Sequence, residues 1–141
     1  MKIFLDANII FTAACTSHGS SRFLFSIAET GAVTLCTSLY ALDEAKRNLA
    51  HKAADKLPTL EKLLPHLAIV PEPQPDKVAW AVLLPLPRKD APIMAAALSC
   101  KADILVTGDR RDFGRLLGTA TEGMLVLEPA ETVRRLAKIL A

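Results

Sequence analysis

Two acidic residues stand where the first and a later predicted strand end, and together they could do chemistry. Asp6 closes the apolar run that begins at Lys2, and Asp109 follows the strand predicted over 104–107, after Gly108. In open parallel sheets the loops at the carboxyl ends of the strands line the functional crevice, so the two carboxylates could converge there. Each acid taken alone is more typical of a solvated loop position than of a functional site.

Asp90 precedes an alanine-rich segment and lies in line with its apolar stripe. Ile93, Met94 and Ala97 follow it at helical spacing, which places them on the same face of the predicted helix. Asp90 is therefore either the helix N-cap, with Pro92 in the first turn, or a carboxylate directed into an internal site. The two interpretations are compatible, because a helix N-terminus also stabilises an ionised carboxylate.

Glu44 is a fourth candidate that its pattern alone does not favour. In the helix predicted over 38–53, helical periodicity places Glu44 nearly opposite Ala45 and Leu49, whereas Asp43 borders the apolar stripe. Periodicity therefore slightly favours a solvated position for Glu44.

Carboxylates gathered in one pocket repel each other, so they either become protonated or bind a cation. Oxygen ligands without His or Cys suit Mg²⁺ or Mn²⁺. Such an ion lowers the pKa of a bound water and stabilises charge on a phosphoryl oxygen. The acids therefore predict phosphodiester hydrolysis that needs no amino-acid nucleophile.

The charge balance suits a polyanionic substrate. The 141 residues are 51% hydrophobic and 23% charged, which predicts a globular chain and excludes disordered, collagen-like and disulfide-scaffold classes. The net charge is only +2, but it rises to +7 when Asp6, Glu44, Asp90, Asp109 and Asp112 are set aside, because 17 basic residues then face 10 acidic ones. Arg110 and Arg111 are candidate phosphate contacts, although solvated cations are the plain alternative.

Short apolar runs alternate with helix-period segments along the chain. Strands are predicted at 2–6, 33–37, 68–70, 104–107 and 124–127, and helices at 20–30, 38–53, 58–64, 76–84, 91–101, 112–117 and from about 130. Helical connections between strands imply a parallel arrangement. We expect one domain over 1–141, an α/β fold with three α/β/α layers around a mostly parallel sheet.

The remaining features predict a cytoplasmic protein. The three cysteines are widely spaced without paired motifs, which favours free thiols over a zinc site. Polar residues interrupt the N-terminal apolar stretch early, and no apolar run is long enough for a membrane span.

Four blocks share their order and spacing with a known family. They are Phe4–Asn8, then Ser38 with Glu44 and Leu49, then Lys89–Ala97, and Ala102–Phe113. Together they resemble the PIN-domain family, the PilT N-terminus-like ribonucleases, from Lys2 to about Leu127. The last block is the most specific. The prolines around 71–75 and at 85 and 87 exceed what the family suggests, so loop geometry and substrate choice stay open.

The resemblance implies a metal-dependent endoribonuclease that cleaves RNA with Mg²⁺ or Mn²⁺, often the toxin of a bacterial toxin–antitoxin pair. It implies a homodimer and a cognate antitoxin as partners. The likeness also selects Glu44 over Asp43, chiefly because Leu49 lies five residues later.

The resemblance also implies roles for particular residues. The expected catalytic residues are Asp6, Glu44, Asp90 and Asp109; the expected metal ligands are Asp6, Asp90, Asp109 and Asp112; and the small polar residues beside the pocket are Asn8 and Thr107.

Two rival functions stay open at this point. The chain could keep the fold and the acids but act only as a partner-binding module. A haloacid-dehalogenase-type phosphohydrolase also begins with an acid at the end of its first strand. That chemistry needs a second acid two residues later, where this chain has Asn8.

Overall fold

A computed structural model describes all residues, 1–141, as six strands and eight α-helices. The strands are β1 (Lys2–Leu5), β2 (Thr34–Ser38), β3 (Leu67–Val70), β4 (Ile104–Val106), β5 (Ala120–Thr121) and β6 (Met124–Leu127). The helices are α1 (Ala7–Cys15), α2 (Ser20–Glu29), α3 (Leu39–Lys52), α4 (Leu57–Leu63), α5 (Pro75–Ala81), α6 (Ala91–Ser99), α7 (Arg110–Phe113) and α8 (Pro129–Leu140). Short 3₁₀ turns cover 54–56, 64–66 and 88–90.

The six strands form one sheet in the order β3-β2-β1-β4-β6-β5, and all pairs are parallel except β5 with β6. Helices α1, α2, α3, α4 and α8 pack among themselves, while α5 packs against α6. The predicted α/β class with its mostly parallel sheet is confirmed.

The central strands are apolar on both faces because helices cover both faces of the sheet. Ile3, Phe4 and Leu5 of β1 and Leu105 of β4 are fully buried. The sheet therefore provides a rigid support whose polar residues begin only where the central strands end.

Strand order reverses between β1 and β4. From β1 the chain runs outward through β2 to β3, and then returns through α5 and α6 to β4 on the other side of β1. Leu5 is paired with Val106, so Asp6 and Thr107 leave the sheet at the same level. Ligand crevices of open α/β sheets lie at such a reversal.

Three local elements differ from the prediction. Helix α1 was not predicted, because its almost uniformly apolar sequence has no polar face that would indicate a period. The short helix expected at 112–117 begins instead at Arg110, since the Asp109 side chain caps it there. Strand β5 has only two residues and joins β6 through a tight turn in which Glu122 and Gly123 have positive φ.

The three cysteines are free, and the Cys36 and Cys100 sulfur atoms lie 4.0 Å apart. No helix is long and apolar enough to span a bilayer.

Candidate metal centre

Asp6 is held at the end of β1 by three hydrogen bonds. Its Oδ1 accepts from the Ala7 N–H at 2.7 Å, which caps α1. Its Oδ2 accepts from Thr107 Oγ1 at 2.8 Å and from Asn8 Nδ2 at 3.1 Å. Only 3% of Asp6 is exposed. The carboxylate is thus fixed between the ends of β1 and β4.

Asn8 and Thr107 join the two strand ends. Asn8 Oδ1 accepts from the Gly108 N–H at 2.8 Å, while its amide nitrogen donates to Asp6. Thr107 Oγ1 donates to Asp6 and accepts from the Asp109 N–H at 3.2 Å. These two residues therefore position the loop that carries Asp109.

Asp90 approaches from the other layer, at the start of α6. It occupies the N-cap position, yet its side chain makes no capping hydrogen bond. It is 8% exposed, and its buried Oδ2 has no hydrogen-bond partner. Capping therefore does not explain this acid, and a buried carboxylate oxygen without a partner is costly unless something binds it.

Burial and mutual repulsion act on both buried acids. Burial raises the pKa of Asp6 to about 6 against the hydrogen bonds from Thr107 and Ala7, and the charges of Glu44 and Asp109 raise it further. Burial also raises the pKa of Asp90 to about 7, with repulsion from Asp6 next in size. Because the charge of Asp6 acts on Asp90 and the charge of Asp109 acts on both, these acids lie around one pocket.

Comparison with known proteins agrees with this arrangement. The family model described as PIN domain matches residues 2–111. The chain belongs to the PIN-domain family. No curated protein matches it.

Two solved structures share the fold of this PIN domain. VapBC2 from Rickettsia felis, solved bound to a DNA fragment from its promoter, superposes with a TM-score of 0.70 at 19% identity over 91% of this chain and 98% of that one. PAE2754 from Pyrobaculum aerophilum gives a TM-score of 0.66 at 21% identity over 98% and 99% of the two chains. At these identities the likeness establishes the fold.

Helical periodicity favours burial of Asp43 over burial of Glu44, but in the structure Glu44 is the more buried of the two. Glu44 is half-buried and its charge raises the pKa of Asp6, whereas Asp43 is exposed. Helix α3 begins where Ser38 Oγ accepts from the Ala41 N–H at 3.2 Å, and the helix buries its apolar stripe, which includes Ala45 and Leu49. Helical periodicity cannot separate these two cases, because an acid that faces a polar pocket lies as far from the apolar stripe as a solvated acid does.

Asp109 and Asp112 lie on one short turn. Asp109 is half-buried, and its Oδ1 accepts from the Asp112 N–H at 2.9 Å. Asp112 Oδ2 lies 3.2 Å from Lys89 Nζ; this contact lowers the pKa of Asp112 and raises that of Lys89. Asp112 therefore neutralises a cation at the rim, and its predicted role as a metal ligand stays a prediction.

The donor set fits a hard divalent cation held partly through water. No three acidic, His or Cys residues lie close enough to hold an ion on their own. The unpartnered Oδ2 of Asp90 and the raised pKa values of Asp6 and Asp90 nevertheless show that a positive charge would be stabilised here. Mg²⁺ usually keeps several waters and takes only one or two carboxylates, so a loosely spaced acidic pocket suits it.

The two predicted phosphate contacts differ in their surroundings. Arg110 Nε lies 3.0 Å from a Glu128 carboxylate oxygen, so its charge is partly used within the protein. Arg111 is exposed and forms no ion pair, and both arginines border an open cleft of about 600 Å³ next to Asp109.

Sequence reasoning missed a contact that supports Asp90. Tyr40 Oη donates to the Lys89 carbonyl at 3.0 Å and so ties the start of α3 to the turn before Asp90. Nothing in the local sequence indicates this contact, because 49 residues separate the two partners.

Proposed function

We propose that this PIN domain is an endoribonuclease that hydrolyses RNA phosphodiesters with a carboxylate-bound Mg²⁺ or Mn²⁺, as the toxin of a toxin–antitoxin pair in the cytoplasm. The observation that carries the proposal is the buried Asp90 Oδ2 without a partner, in a pocket where Asp6, Glu44 and Asp109 add further negative charge. A pocket of this kind favours a cation and a phosphate-bearing substrate.

Asp6, Asp90 and Asp109 would hold the cation directly or through water. When bound, the ion would supply an acidic water and charge stabilisation at a phosphoryl oxygen. Glu44, which is half-buried beside Asp6, would accept a proton from the attacking water or orient it. Thr107 and Asn8 would keep the Asp6 carboxylate in one orientation through their hydrogen bonds to Oδ2.

The partners are proposed from the fold alone. VapBC2 from Rickettsia felis has the same architecture. We therefore expect an antitoxin protein and a second copy of this chain as partners. Co-expression with the neighbouring gene product, followed by size-exclusion chromatography, tests both.

The direct test is cleavage of a mixed RNA pool with Mg²⁺ or with EDTA. We expect the wild type to cleave only with the metal and Glu44→Gln to lose activity. Asp43→Asn is the matched control, because it removes the charge of an exposed neighbouring acid on the same helix. Cleavage that persists in EDTA would contradict the metal-dependent mechanism. Metal-dependent RNA binding without turnover would favour the non-catalytic module instead.

A further inference from the structure

The cleft next to Asp109 has a second polar wall that the metal centre does not use. Ser21, near the start of α2, borders this cleft and is 5% exposed. Its hydroxyl has no hydrogen-bond partner within the chain. The hydroxyl oxygen is not fully buried, because Asp90 Oδ2 is the only fully buried side-chain oxygen or nitrogen without a partner. The Ser21 hydroxyl therefore retains contact with the open side of the cleft.

The start of α2 lacks a side-chain cap. Gly19 occupies the N-cap position and offers no acceptor to the first N–H groups of the helix. These N–H groups have no partners within the helix, and the helix dipole adds partial positive charge at the same place. Ser21 is the residue of this first turn that borders the cleft, so an anion beside Ser21 lies next to the positive end of the helix.

Helix α2 is held firmly in this position. Arg22 Nε donates to the Ala13 carbonyl at 2.6 Å, close to the C-terminal end of α1. Because Asp6 caps the start of α1 and α2 is tied to the other end of α1, the uncapped start of α2 has a defined place relative to the acidic pocket. A pre-formed site loses less entropy on binding than a mobile one.

The opposite wall is basic. Arg110 and Arg111 border the same cleft, and only Arg110 is paired with an acid. Asp109 also borders this cleft, and its charge acts on Asp6 in the acidic pocket. A strand bound at the acidic pocket through a metal ion can therefore continue into this cleft.

We propose that this cleft binds a second backbone phosphate of the RNA strand, one that is not cleaved. The Ser21 hydroxyl, at the positive end of α2, and the Arg111 guanidinium bind it. This assignment rests on the proposed function, because it takes the strand to be RNA. Ser21 is on this view a substrate-binding residue outside the metal centre, and it sets the path of the strand.

Binding measured in EDTA tests the site without strand cleavage. Fluorescence anisotropy of a labelled mixed-sequence oligoribonucleotide reports the Kd. We expect Ser21→Ala to weaken binding about tenfold, the effect of one hydrogen bond to a charged acceptor. Ser26→Ala is the control, because it makes the same change at an exposed position of the same helix. We expect Arg111→Gln to reduce the slope of log K against log salt by about one phosphate contact.

Ser21→Asp separates binding from folding. A carboxylate in the first turn of α2 would occupy the place of the phosphate and interact favourably with the uncapped N–H groups. We therefore expect a Tm equal to or above that of the wild type together with RNA binding weakened more than tenfold. Wild-type affinity in Ser21→Ala, or equal losses in Ser21→Ala and Ser26→Ala, would overturn the proposal.

The outcomes distinguish this proposal from the proposed function. If RNA is bound in a Ser21-dependent way but never cleaved, the phosphate site stands and the nuclease proposal fails. If RNA is cleaved and Ser21→Ala changes neither KM nor the Kd, the nuclease proposal stands and the phosphate site fails.

Discussion

Replacing Asp90 with Asn should change the pH dependence of stability in the metal-free protein. The Asp90 carboxyl has a pKa of about 7 in the folded chain against 3.8 for an unperturbed aspartate. Below about pH 3 it is largely neutral in both the folded and the unfolded state, and it then costs the fold nothing. As the pH rises towards 7 the unfolded chain releases its proton first, so the folded state loses stability until both states are ionised.

The size of the effect follows from the shift. Between pH 5 and pH 8 the folded wild type should lose about 2–3 kcal/mol relative to Asp90→Asn, at about 1.4 kcal/mol for each pH unit between 5 and 7. The lower end allows for repulsion from Asp6, which weakens as Asp6 itself becomes protonated near pH 6. An unpaired Asn amide also costs stability, but this cost is the same at both pH values and cancels in the comparison.

Urea unfolding in EDTA at pH 5 and pH 8 measures the difference. Asp43→Asn serves as the exposed control and should follow the wild type at both values. Adding Mg²⁺ at pH 8 should stabilise the wild type and leave Asp90→Asn nearly unchanged, because a ligand stabilises only the state that binds it. If the wild type and Asp90→Asn lose the same stability between pH 5 and pH 8, the burial and repulsion argument is wrong.

Three further substitutions probe the supports of the pocket. Thr107→Val removes the hydrogen-bond donor to Asp6 while keeping the shape of the side chain. The pKa of Asp6 should therefore rise further, and the free energy of unfolding at pH 8 should fall by about 1.5–3 kcal/mol. NMR titration of Asp6 and urea unfolding measure these two effects, and an unchanged pKa would contradict the assigned hydrogen bond. Gly114→Ala would place a Cβ 2.6 Å from the Arg110 carbonyl oxygen, so α7 must shift and RNA cleavage should fall. Gly31→Ala is the control: its Cβ has open space but its φ is positive, so it should lower stability and leave RNA cleavage unchanged. Lys89→Gln removes the ion pair with Asp112, so the pKa of Asp112 should rise. The free energy of unfolding should change by less than about 1 kcal/mol, because the lysine is largely exposed. A larger loss in urea unfolding would show that the ion pair is not solvated.

Much of the fold could be predicted because its signals are local. The α3 boundary follows from the Ser38 cap, and α6 follows from an alanine-rich run after Pro92. Gly31, with φ of +82°, lies just beyond the end of α2 as expected. In contrast, α1 could not be recognised, because an apolar segment that is buried on most sides has no contrast between faces.

Local sequence signals likewise predict some residues of the candidate site but not others. Asp6 and Asp109 could be selected because each directly follows a strand, and strand ends in a parallel sheet share one edge by geometry. The choice between Asp43 and Glu44 could not be made from periodicity, since it depends on what faces α3 across the sheet. The phosphate site proposed around Ser21 could not be predicted from the sequence, because Arg111, which borders the same cleft, is 90 residues away in the chain.

The sequence alone determined the alternation of strands and helices and the acids at the strand ends, because these depend on spacing between residues that are close in the chain. It also indicated the family, through the order and spacing of four blocks along the chain. Only the tertiary structure decided that Asp90 leaves an oxygen unpaired and that Lys89 neutralises Asp112. The choice of Glu44 over Asp43 came from the family likeness, and the structure adds that the charge of Glu44 acts on Asp6. Burial and electrostatic repulsion depend on distances through space, and chain positions do not specify those distances until the layers have packed.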